Sequence, residues 1–424
     1  MGILLGAIAD DFTGACDLAG LLAQAGMGTH LLIGVPEGTP HRLLESDAVV
    51  IALKTRTAPV AEALRLSIAA LDWLLGQGVE QVFFKICSTF DSTAQGNIGP
   101  VAEALGARLG ARVQLVCPAY PANGRTVYQG HLFVGGTLLS ESPMRHHPLT
   151  PMDDANLIRV LQAQTRATVA SIPWPVVAQG TKAVQTRLAE LSAQGVGMAI
   201  ADALTDQDLA ALGAAAVDLP LLTGSAGLAL GLPANFARAG RLADRPSSAI
   251  LPLGSGPAAV LAGSCSAATR AQVAYLAQRV PAVAIDPLAA EDPRQLAALA
   301  LEALAEPLQR GEPILIYSSI EPAAVARVQS RLGQHQAANL IESSFAELAC
   351  QLVRRGVRRL VVAGGETAGA VVTALGVHAL AVGPQIDPGV PWTQVLDGPP
   401  LLLALKSGNF GSREFFAKAL EMRA

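Results

Sequence analysis

Few side chains in the 424-residue sequence are charged, and very few are aromatic. Charged residues make up 15% of the chain and aromatic residues 4%, whereas hydrophobic residues make up 51%. The 30 lysines and arginines nearly balance 34 acidic residues, and they form no basic stripe. Because binding to nucleic acids depends on clustered positive charge, we expect no nucleic-acid partner.

The sequence also lacks an uninterrupted apolar run of membrane-spanning length, although its mean hydropathy is +0.40. The best candidate, residues 219–237, has no charge but contains two prolines and three glycines, which is more typical of a buried strand and a loop. The N-terminus has no basic segment, and Asp10 and Asp11 end its first apolar run too early for a secretory signal. We therefore expect a cytoplasmic protein without membrane association.

Several common site signatures are missing as well. The five cysteines form no CxxC pair and are odd in number, a pattern that favours reduced thiols over a disulfide framework or a zinc site. His146 and His147 are adjacent, so they point to opposite faces of an extended segment and are not expected to share a metal. There is no GxxxxGK[ST], no GxGxxG after a strand and no GxSxG, which argues against the commonest nucleotide-binding and hydrolase motifs.

What the chain does contain is a regular alternation of short apolar runs and helical patterns. A chain of 424 residues is too long for one ordinary core. We predict an α/β fold with two domains, each with a mainly parallel sheet flanked by helices, and an active site in the cleft between the domains. The stretch 241–256 is rich in Pro, Gly, Ser and Arg and predicts a linker between domains at residues 1–240 and 257–424.

Polar residues follow the predicted strands of the N-terminal domain, at the edge where open α/β sheets bind ligands. Asp10 and Asp11 end the first strand, although an aspartate there is also a common helix N-cap. Lys54 and Arg56 follow the next strand and could hold a carboxylate, but a solvated loop would look the same. The run from residue 87 to residue 97 is rich in hydroxyl, carboxylate and amide groups, which suits a polyhydroxylated ligand or, alternatively, a capping loop.

Two further candidates lie in the segment after residue 117. Arg125 follows a turn at Asn123-Gly124 and could clamp a carboxylate through two parallel hydrogen bonds. Residues 127–140 alternate like a short hairpin that presents His131.

Glycine-rich turns follow the predicted strands of the C-terminal domain. They occur at residues 263–266, 364–367 and 407–411, and two of them lead into helical patterns. Backbone N–H groups in such turns and the positive end of a helix dipole can bind phosphate, although ordinary strand-to-helix turns also contain glycine. Polar groups in one half and phosphate-binding turns in the other suggest a small-molecule kinase.

Six separated blocks extend this interpretation by resemblance. They are ADDFTGACDLAG from Ala9, KICSTFDSTAQGNIGP from Lys85, CPAYPANGRTVYQGHLFV from Cys117, AGSCSAATRAQV from Ala262, AGGETAGAV from Ala363 and LKSGNFG from Leu405. Together, in this order and over nearly the whole chain, they resemble the four-carbon acid sugar kinases. Within that family, the CSTFDST and RHHPLTPM segments look most like 3-oxo-tetronate 4-kinases.

The resemblance implies an N-terminal domain that binds the acid sugar and a C-terminal domain that binds ATP. It implies ATP- and Mg²⁺-dependent phosphorylation of the terminal C4 hydroxyl, with 3-oxo-tetronate as the expected substrate and D-threonate or erythronate as alternatives. Many relatives have an arginine where this chain has Gln95, which leaves the acid sugar open. The ATP contacts carried over by the resemblance are Ser264, Gly364, Gly365, Glu366, Thr367 and Gly408.

Roles in the N-terminal domain are hypotheses from residue type and position. Asp11 and Asp91, unranked, are candidates to accept the proton of the attacking hydroxyl. Lys85 or Arg125 could bind the substrate carboxylate or the transferring phosphoryl group. The candidates for contact with the hydroxyls and the rest of the substrate are Asp10, Ser88, Asn97 and His131.

Two other classes of function stay open from the residues alone. An NAD-dependent acid-sugar dehydrogenase fits the α/β pattern but lacks the dinucleotide fingerprint. A non-catalytic acid-sugar-binding protein fits the two-domain cleft. The expected partners are a four-carbon acid sugar and ATP, the Mg²⁺ ligands are unknown, and a homo-oligomer is one option for the assembly.

Overall fold

The computed structural model describes residues 3–38, 46–147, 149–242, 256–318, 330–398 and 400–422. The chain divides into two compact units, Met1–Ser247 and Ser248–Ala424. Most of the predicted linker, residues 243–255, lies outside the described residues, so the domain limits at 240 and 257 stay predictions, as does the cleft. No helix in the described ranges combines the length and the hydropathy needed to span a membrane.

In the described part of the N-terminal unit, eight parallel strands form a sheet in the order β2-β3-β1-β4-β11-β5-β10-β9, and a second, antiparallel sheet has the order β6-β7-β8. The strands are β1 (Leu5–Ala9), β2 (Thr29–Ile33), β3 (Ala48–Ala52), β4 (Gln81–Lys85), β5 (Gln114–Cys117), β6 (Arg125–Tyr128), β7 (His131–Val134), β8 (Thr137–Leu138), β9 (Val169–Ile172), β10 (Met198–Ala201) and β11 (Leu221–Gly224). The helices are α1 (Phe12–Gln24), α2 (Val60–Gly76), α3 (Ile98–Leu109), α4 (Leu157–Gln162), α5 (Trp174–Val177), α6 (Thr181–Ala193), α7 (Asp206–Ala215) and α8 (Leu232–Arg238).

The described part of the C-terminal unit contains a sheet in the order β13-β14-β12-β15-β18-β17-β16, in which the first five strands are parallel and the last two antiparallel. Its strands are β12 (Ala258–Ala262), β13 (Ala282–Ala284), β14 (Ile314–Tyr317), β15 (Arg359–Ala363), β16 (Ala379–Asp387), β17 (Val390–Val395) and β18 (Leu402–Lys406). Its helices are α9 (Ala267–Leu276), α10 (Pro293–Ala303), α11 (Ala305–Gln309), α12 (Gln334–Arg354), α13 (Gly365–Ala374) and α14 (Phe415–Glu421).

Continuous apolar strands explain why both sheets are mainly parallel, as predicted. Strands β1, β3, β4, β12 and β18 are buried at every position, which is expected where helices cover both faces of a sheet. The few aromatic residues are used largely as core. Trp392, Phe83, Phe84, Phe345 and Phe415 are among the largest side chains that are fully buried.

Strand register places the polar ends of neighbouring strands together. β1 lies between β3 and β4, and Ala9 pairs with Ala52 on one side and with Lys85 on the other. In the C-terminal unit, β15 lies between β12 and β18, with Ala363 beside Ala262 and Lys406. The residues that follow these strands therefore meet at one edge of each sheet.

Candidate functional site

Arg56 is the centre of a charged cluster in the N-terminal unit. Its Nη2 atom lies 2.7 Å from Asp10 Oδ1 and 2.8 Å from Asp11 Oδ1. Its Nε donates to Asp10 Oδ2 and its Nη1 to Asp11 Oδ2, each at 3.1 Å. The third carboxylate, Asp91, lies 4.0 Å from Arg56 Nη1 through its Oδ2 atom. Arg56, which the sequence left undecided between a site and a solvated loop, thus joins the ends of β1, β3 and β4.

Asp11 has a structural role in addition to its ion pair. It is the N-cap of α1, where Oδ1 accepts from the Gly14 N–H at 2.9 Å and Oδ2 accepts from the Thr13 hydroxyl at 2.8 Å. With Arg56, each carboxylate oxygen therefore accepts two hydrogen bonds. Burial acts to raise the pKa of Asp11, but the charges of Arg56 and Lys85 and these hydrogen bonds outweigh it and hold the pKa below its usual value. The capping interpretation of Asp11 is confirmed.

Asp10 differs from its neighbour. It is more deeply buried, and burial raises its pKa in spite of the nearby charge of Arg56. The two adjacent carboxylates consequently have pKa values shifted in opposite directions.

Asp91 is held by a different set of contacts. Its Oδ1 accepts from the Thr89 hydroxyl at 2.6 Å, and Thr89 Oγ1 also lies 3.0 Å from Cys87 Sγ. Its Oδ2 receives no hydrogen bond from any described residue. The preceding residue, Phe90, is fully buried and has a φ of 52°, a left-handed backbone conformation that is costly for a bulky side chain. Such strain persists where the surrounding structure imposes it.

Lys85 lies beneath this cluster. It is 3% exposed, and its Nζ donates to the Ile86 carbonyl at 2.9 Å. A side chain at position 14 would meet that Nζ atom, so glycine is required there for the first turn of α1 to approach the lysine. Further along α1, the buried Asp17 accepts a 3.3 Å hydrogen bond from the Tyr120 hydroxyl. Burial raises the pKa of Asp17 to about 7, with the charge of Lys85 and this hydrogen bond acting against it.

Asn97 is hydrogen-bonded to the backbone segment that carries Arg56. Its Nδ2 donates to the carbonyls of Thr55 at 2.7 Å and Ala58 at 2.8 Å, and so holds the segment that carries Arg56. Ser88 is nearly buried and makes no hydrogen bond with the described residues. Gln95 is exposed.

Arg125 and His131 lie on the small antiparallel sheet and make no hydrogen bond with the Arg56 cluster. Arg125 Nη1 donates to the Asn123 carbonyl, while its buried Nε has no partner among the described residues. His131 Nδ1 lies 2.8 Å from the Gln129 carbonyl and therefore carries the proton, which leaves Nε2 to accept from Asn156 Nδ2 at 3.3 Å. Both ring nitrogens of His131 thus have partners within the chain.

In the C-terminal unit, the three predicted turns form one structure. The Gly364 N–H donates to the Lys406 carbonyl at 2.8 Å, and the N–H groups of Gly263 and Ser264 donate to the Ala363 carbonyl at 3.0 and 3.2 Å. The Ser266 hydroxyl donates to the Gly408 carbonyl at 2.6 Å. The structure therefore brings together the turns after β12, β15 and β18.

Close packing explains the glycines in these turns. A Cβ atom on Gly408 would overlap Ser264 Oγ, and one on Gly263 would overlap Thr367 Oγ1. Gly364 has a φ of +124°, which side chains rarely adopt. At Gly365, the first residue of α13, a Cβ would meet no atom of the described residues within 4 Å, so these residues leave the N-terminus of the helix uncovered. Glu366 follows in the first turn of the helix and is exposed.

Lys406 ends β18 directly below these turns and is fully buried. Its Nζ lies 2.8, 2.9 and 3.1 Å from the carbonyls of Ser407, Gly408 and Phe410, and 3.1 Å from Thr269 Oγ1. Burial lowers its pKa to about 7. Sequence reasoning missed Lys406, Asp17 and Tyr120. For Asp17 the available signal was a charged residue inside an otherwise apolar run, and for Lys406 it was a charged residue at the end of one.

Among the described residues, no three histidine, cysteine, aspartate or glutamate side chains are grouped as a metal site. The cluster around Arg56 can bind polar groups and accept a proton, and the three turns offer N–H groups, hydroxyls and two helix N-termini to an anion.

Comparison with known proteins agrees with this division. Residues 5–232 match the family model of a sugar-binding N-terminal domain, and residues 259–416 match that of a nucleotide-binding C-terminal domain. A Pseudomonas fluorescens protein named 3-oxo-tetronate kinase is 57% identical, with 98% of this chain and 96% of the relative aligned. A Salmonella typhimurium protein of the same name is 45% identical over 98% of both chains. A crystal structure of a Salmonella typhimurium LT2 protein, 44% identical, superimposes with a TM-score of 0.88 over 98% of both chains.

Proposed function

Because this chain belongs to the four-carbon acid sugar kinase family, we propose that it transfers the γ-phosphoryl group of ATP to the C4 hydroxyl of a 3-oxo-tetronate. Relatives that bear the name 3-oxo-tetronate kinase are 45% to 57% identical over nearly the full chain, which supports this substrate class. The observation that carries the proposal is the convergence of the three turns after β12, β15 and β18 in the nucleotide-binding domain.

The turns fit the phosphates of a nucleotide for three reasons. They place the N-termini of α9 and α13 at one edge of the sheet, where the helix dipoles favour negative charge. They are tightly packed around Gly263 and Gly408, which fixes the directions of the backbone N–H groups. The described residues leave the space at Gly365 open, with room for a ligand. We propose that Ser264, Gly364, Gly365, Thr367 and Gly408 form the phosphate site.

We propose that Mg²⁺ binds as its complex with ATP and is not held by protein side chains alone. Such an ion neutralises phosphate charge in phosphoryl transfer. Mg²⁺ in kinases is commonly held by phosphate oxygens, water and only one or two carboxylates. Since the described residues form no three-ligand site, no step is assigned to a metal held by the protein alone.

Asp91 is proposed as the proton acceptor. Both oxygens of Asp11 already accept two hydrogen bonds and its pKa is lowered, so Asp11 is a weak base with no free position. Asp91 has one oxygen without a donor in the described part of the chain, and Arg56 Nη1 lies only 4.0 Å from it. In the proposed step, Asp91 takes the proton of the C4 hydroxyl while the hydroxyl oxygen bonds to phosphorus and ADP leaves. Arg56 compensates the charge of the cluster throughout.

The substrate carboxylate is proposed to bind away from this cluster. Asp10, Asp11 and Asp91 outnumber Arg56 and Lys85, so the cluster is a weaker site for the substrate carboxylate than an arginine without acidic neighbours would be. Arg125 has no acidic partner among the described residues, and its buried Nε makes no hydrogen bond. A bidentate contact from Arg125 would suit a carboxylate at the opposite end of a four-carbon chain from the reacting hydroxyl.

The test is release of ADP from ATP and Mg²⁺ with a panel of 3-oxo-tetronates of both configurations, threonates and erythronates, with the product identified by mass spectrometry. We expect turnover with a 3-oxo-tetronate. Turnover with threonate or erythronate alone would support the proposed kinase activity but assign it a different substrate. No ADP release with any acid would overturn the proposal.

Matched aspartate variants test the proton acceptor. Asp91→Asn is expected to lower kcat by about 10²- to 10⁴-fold, the usual contribution of general base catalysis, with little change in the KM for ATP. Asp72→Asn is the control, because Asp72 is an exposed residue of the same domain whose carboxylate pairs with Arg108. An Asp91→Asn enzyme with near-normal turnover would show that Asp91 does not accept the proton.

A further inference from the structure

Lys406 is unusual because its ammonium group is buried and has no acidic partner among the residues that the structure describes. It is 0% exposed, and every hydrogen bond from its Nζ goes to an uncharged oxygen. A buried charge is normally paired with an opposite charge, since the loss of hydration is expensive. The described residues around Lys406 supply hydrogen bonds but no negative charge.

The ionisable groups on neighbouring elements have other partners or are exposed. Arg270 in α9 donates to the Cys265 carbonyl, and Asp387 at the end of β16 is bound by Lys418 and Ser412. Glu366 is exposed in the first turn of α13. Burial is the cause that lowers the pKa of Lys406.

The contacts of Lys406 connect all three turns of the phosphate site. The Gly408 carbonyl accepts from Lys406 Nζ at 2.9 Å, from Thr269 Oγ1 at 2.8 Å and from Ser266 Oγ at 2.6 Å. The backbone carbonyl of Lys406 accepts from the Gly364 N–H at 2.8 Å. The side chain therefore fixes the 407–410 turn against α9, and the main chain fixes the start of α13.

We propose that Lys406 is a positioning residue whose ammonium group lies behind the phosphates, holds the 407–410 turn and takes up a proton when a nucleotide binds. The inference rests on the proposed nucleotide site. A bound phosphate supplies the negative charge that the buried ammonium lacks, so the protonated form of Lys406 is favoured in the complex. Free protein at slightly alkaline pH has lost much of this proton, and binding restores it.

Isothermal titration calorimetry with ADP tests this coupling. At pH 8 ADP is itself fully ionised, so proton uptake, measured from the heats in buffers of different ionisation enthalpy, reports on the protein. We expect uptake close to one proton per ADP in the unmodified chain. We also expect its affinity for ADP to fall by up to about tenfold per pH unit between pH 7.5 and 9.

Three variants distinguish the effect of the Lys406 charge from a general effect on the structure. Lys406→Met should bind ADP at least about tenfold more weakly at pH 7 and show neither proton uptake nor the pH dependence. Thr269→Val removes one hydroxyl from the same network but keeps the ammonium group, so it should bind more weakly yet retain proton uptake. Arg310→Gln, which removes an exposed charge paired with Glu306 and Glu312 in the same unit, should behave like the unmodified chain.

The outcomes distinguish this inference from the function on which it rests. ADP binding by the unmodified chain without proton uptake at pH 8 would overturn the role of Lys406 and leave the nucleotide site intact, and this result does not depend on whether Lys406→Met folds. Proton uptake that persists in a folded Lys406→Met variant would assign the coupling to another group and also overturn it. Failure of the unmodified chain to bind ADP at all would instead overturn the proposed function.

Discussion

Asp17 is expected to lower the stability of the N-terminal unit at neutral pH, and replacing it should reveal by how much. The residue is 3% exposed in α1 and has a pKa of about 7 in the folded chain, against 3.8 for an ordinary aspartate. Between pH 3.8 and about pH 7, Asp17 carries a proton in the folded chain but not in the unfolded chain. Stability contributed by the protonated form is therefore lost as the pH rises from about 4 to 7, and the penalty is complete above pH 7.

The size of the effect follows from the two pKa values. A pKa of about 7 in place of 3.8 corresponds to roughly 4 kcal/mol of unfolding free energy. Asp17→Asn keeps an oxygen that can accept from the Tyr120 hydroxyl but cannot ionise. The new amide group carries its own cost of about 1–3 kcal/mol if its donors find no partner, but that cost does not depend on pH. The difference between the variant and the unmodified chain should therefore grow by about 3 kcal/mol from pH 4.5 to pH 8 in favour of the variant, because about 1 kcal/mol of the full effect falls below pH 4.5.

Equilibrium unfolding in urea at pH 4.5, 5.5, 6.5 and 8 measures this difference. In a Trp392→Phe background the remaining tryptophans, Trp73 and Trp174, both report on the N-terminal unit. Asp72→Asn, at an exposed position, should show no such trend and is the control. A stability difference between Asp17→Asn and the parent that is constant across the series would refute the reasoning, because it would mean that Asp17 is ionised in the folded chain throughout.

Two further predictions concern the ion cluster and the glycine turns. Arg56→Met should lower the unfolding free energy at pH 7 by about 3–5 kcal/mol, since it leaves the buried carboxylates of Asp10 and Asp11 without their partner. Adding Asp10→Asn should recover part of the loss in urea unfolding, and no recovery would contradict this account. Gly408→Ala should raise the KM for ATP by at least about tenfold in initial-rate assays, because its Cβ has no room. Gly76→Ala in α2, where a Cβ would meet nothing within 4 Å, should leave the KM unchanged, and equal behaviour of the two variants would count against a tightly packed phosphate site.

Local sequence signals were sufficient to predict the C-terminal turns. A buried apolar strand followed by glycine and hydroxyl residues is a short-range pattern, and strand β12 was found over the predicted residues 258–262. The glycines are needed because neighbouring backbone segments and hydroxyls approach them closely, as at Gly263 and Gly408. The antiparallel strands β16 and β17 were not predicted, since a hairpin at the end of a parallel sheet depends on which neighbour the strands find.

The polar residues of the N-terminal domain were identified as a group, but their individual roles depended on distant contacts. The sequence could not rank Asp11 and Asp91, because their difference arises from hydrogen bonds to Gly14, Thr13 and Arg56. Asn97, which the sequence offers as a candidate for contact with a substrate hydroxyl, also holds the backbone at residues 55–58 through its Nδ2 atom. The contact of the candidate residues with substrate stays a prediction.

The sequence by itself determined the alternation of strands and helices, the two-domain organisation and the family, because these depend on apolar periodicity, glycine placement and motifs that lie within short segments. Only the tertiary structure determined which charged residues form ion pairs and which pKa values are shifted. Arg56 meets Asp10 across 46 residues of sequence because β1 lies between β3 and β4. Lys406 and Asp17 acquire shifted pKa values because packing removes them from water. Burial and ion pairing depend on strand order, and strand order is set by the whole chain.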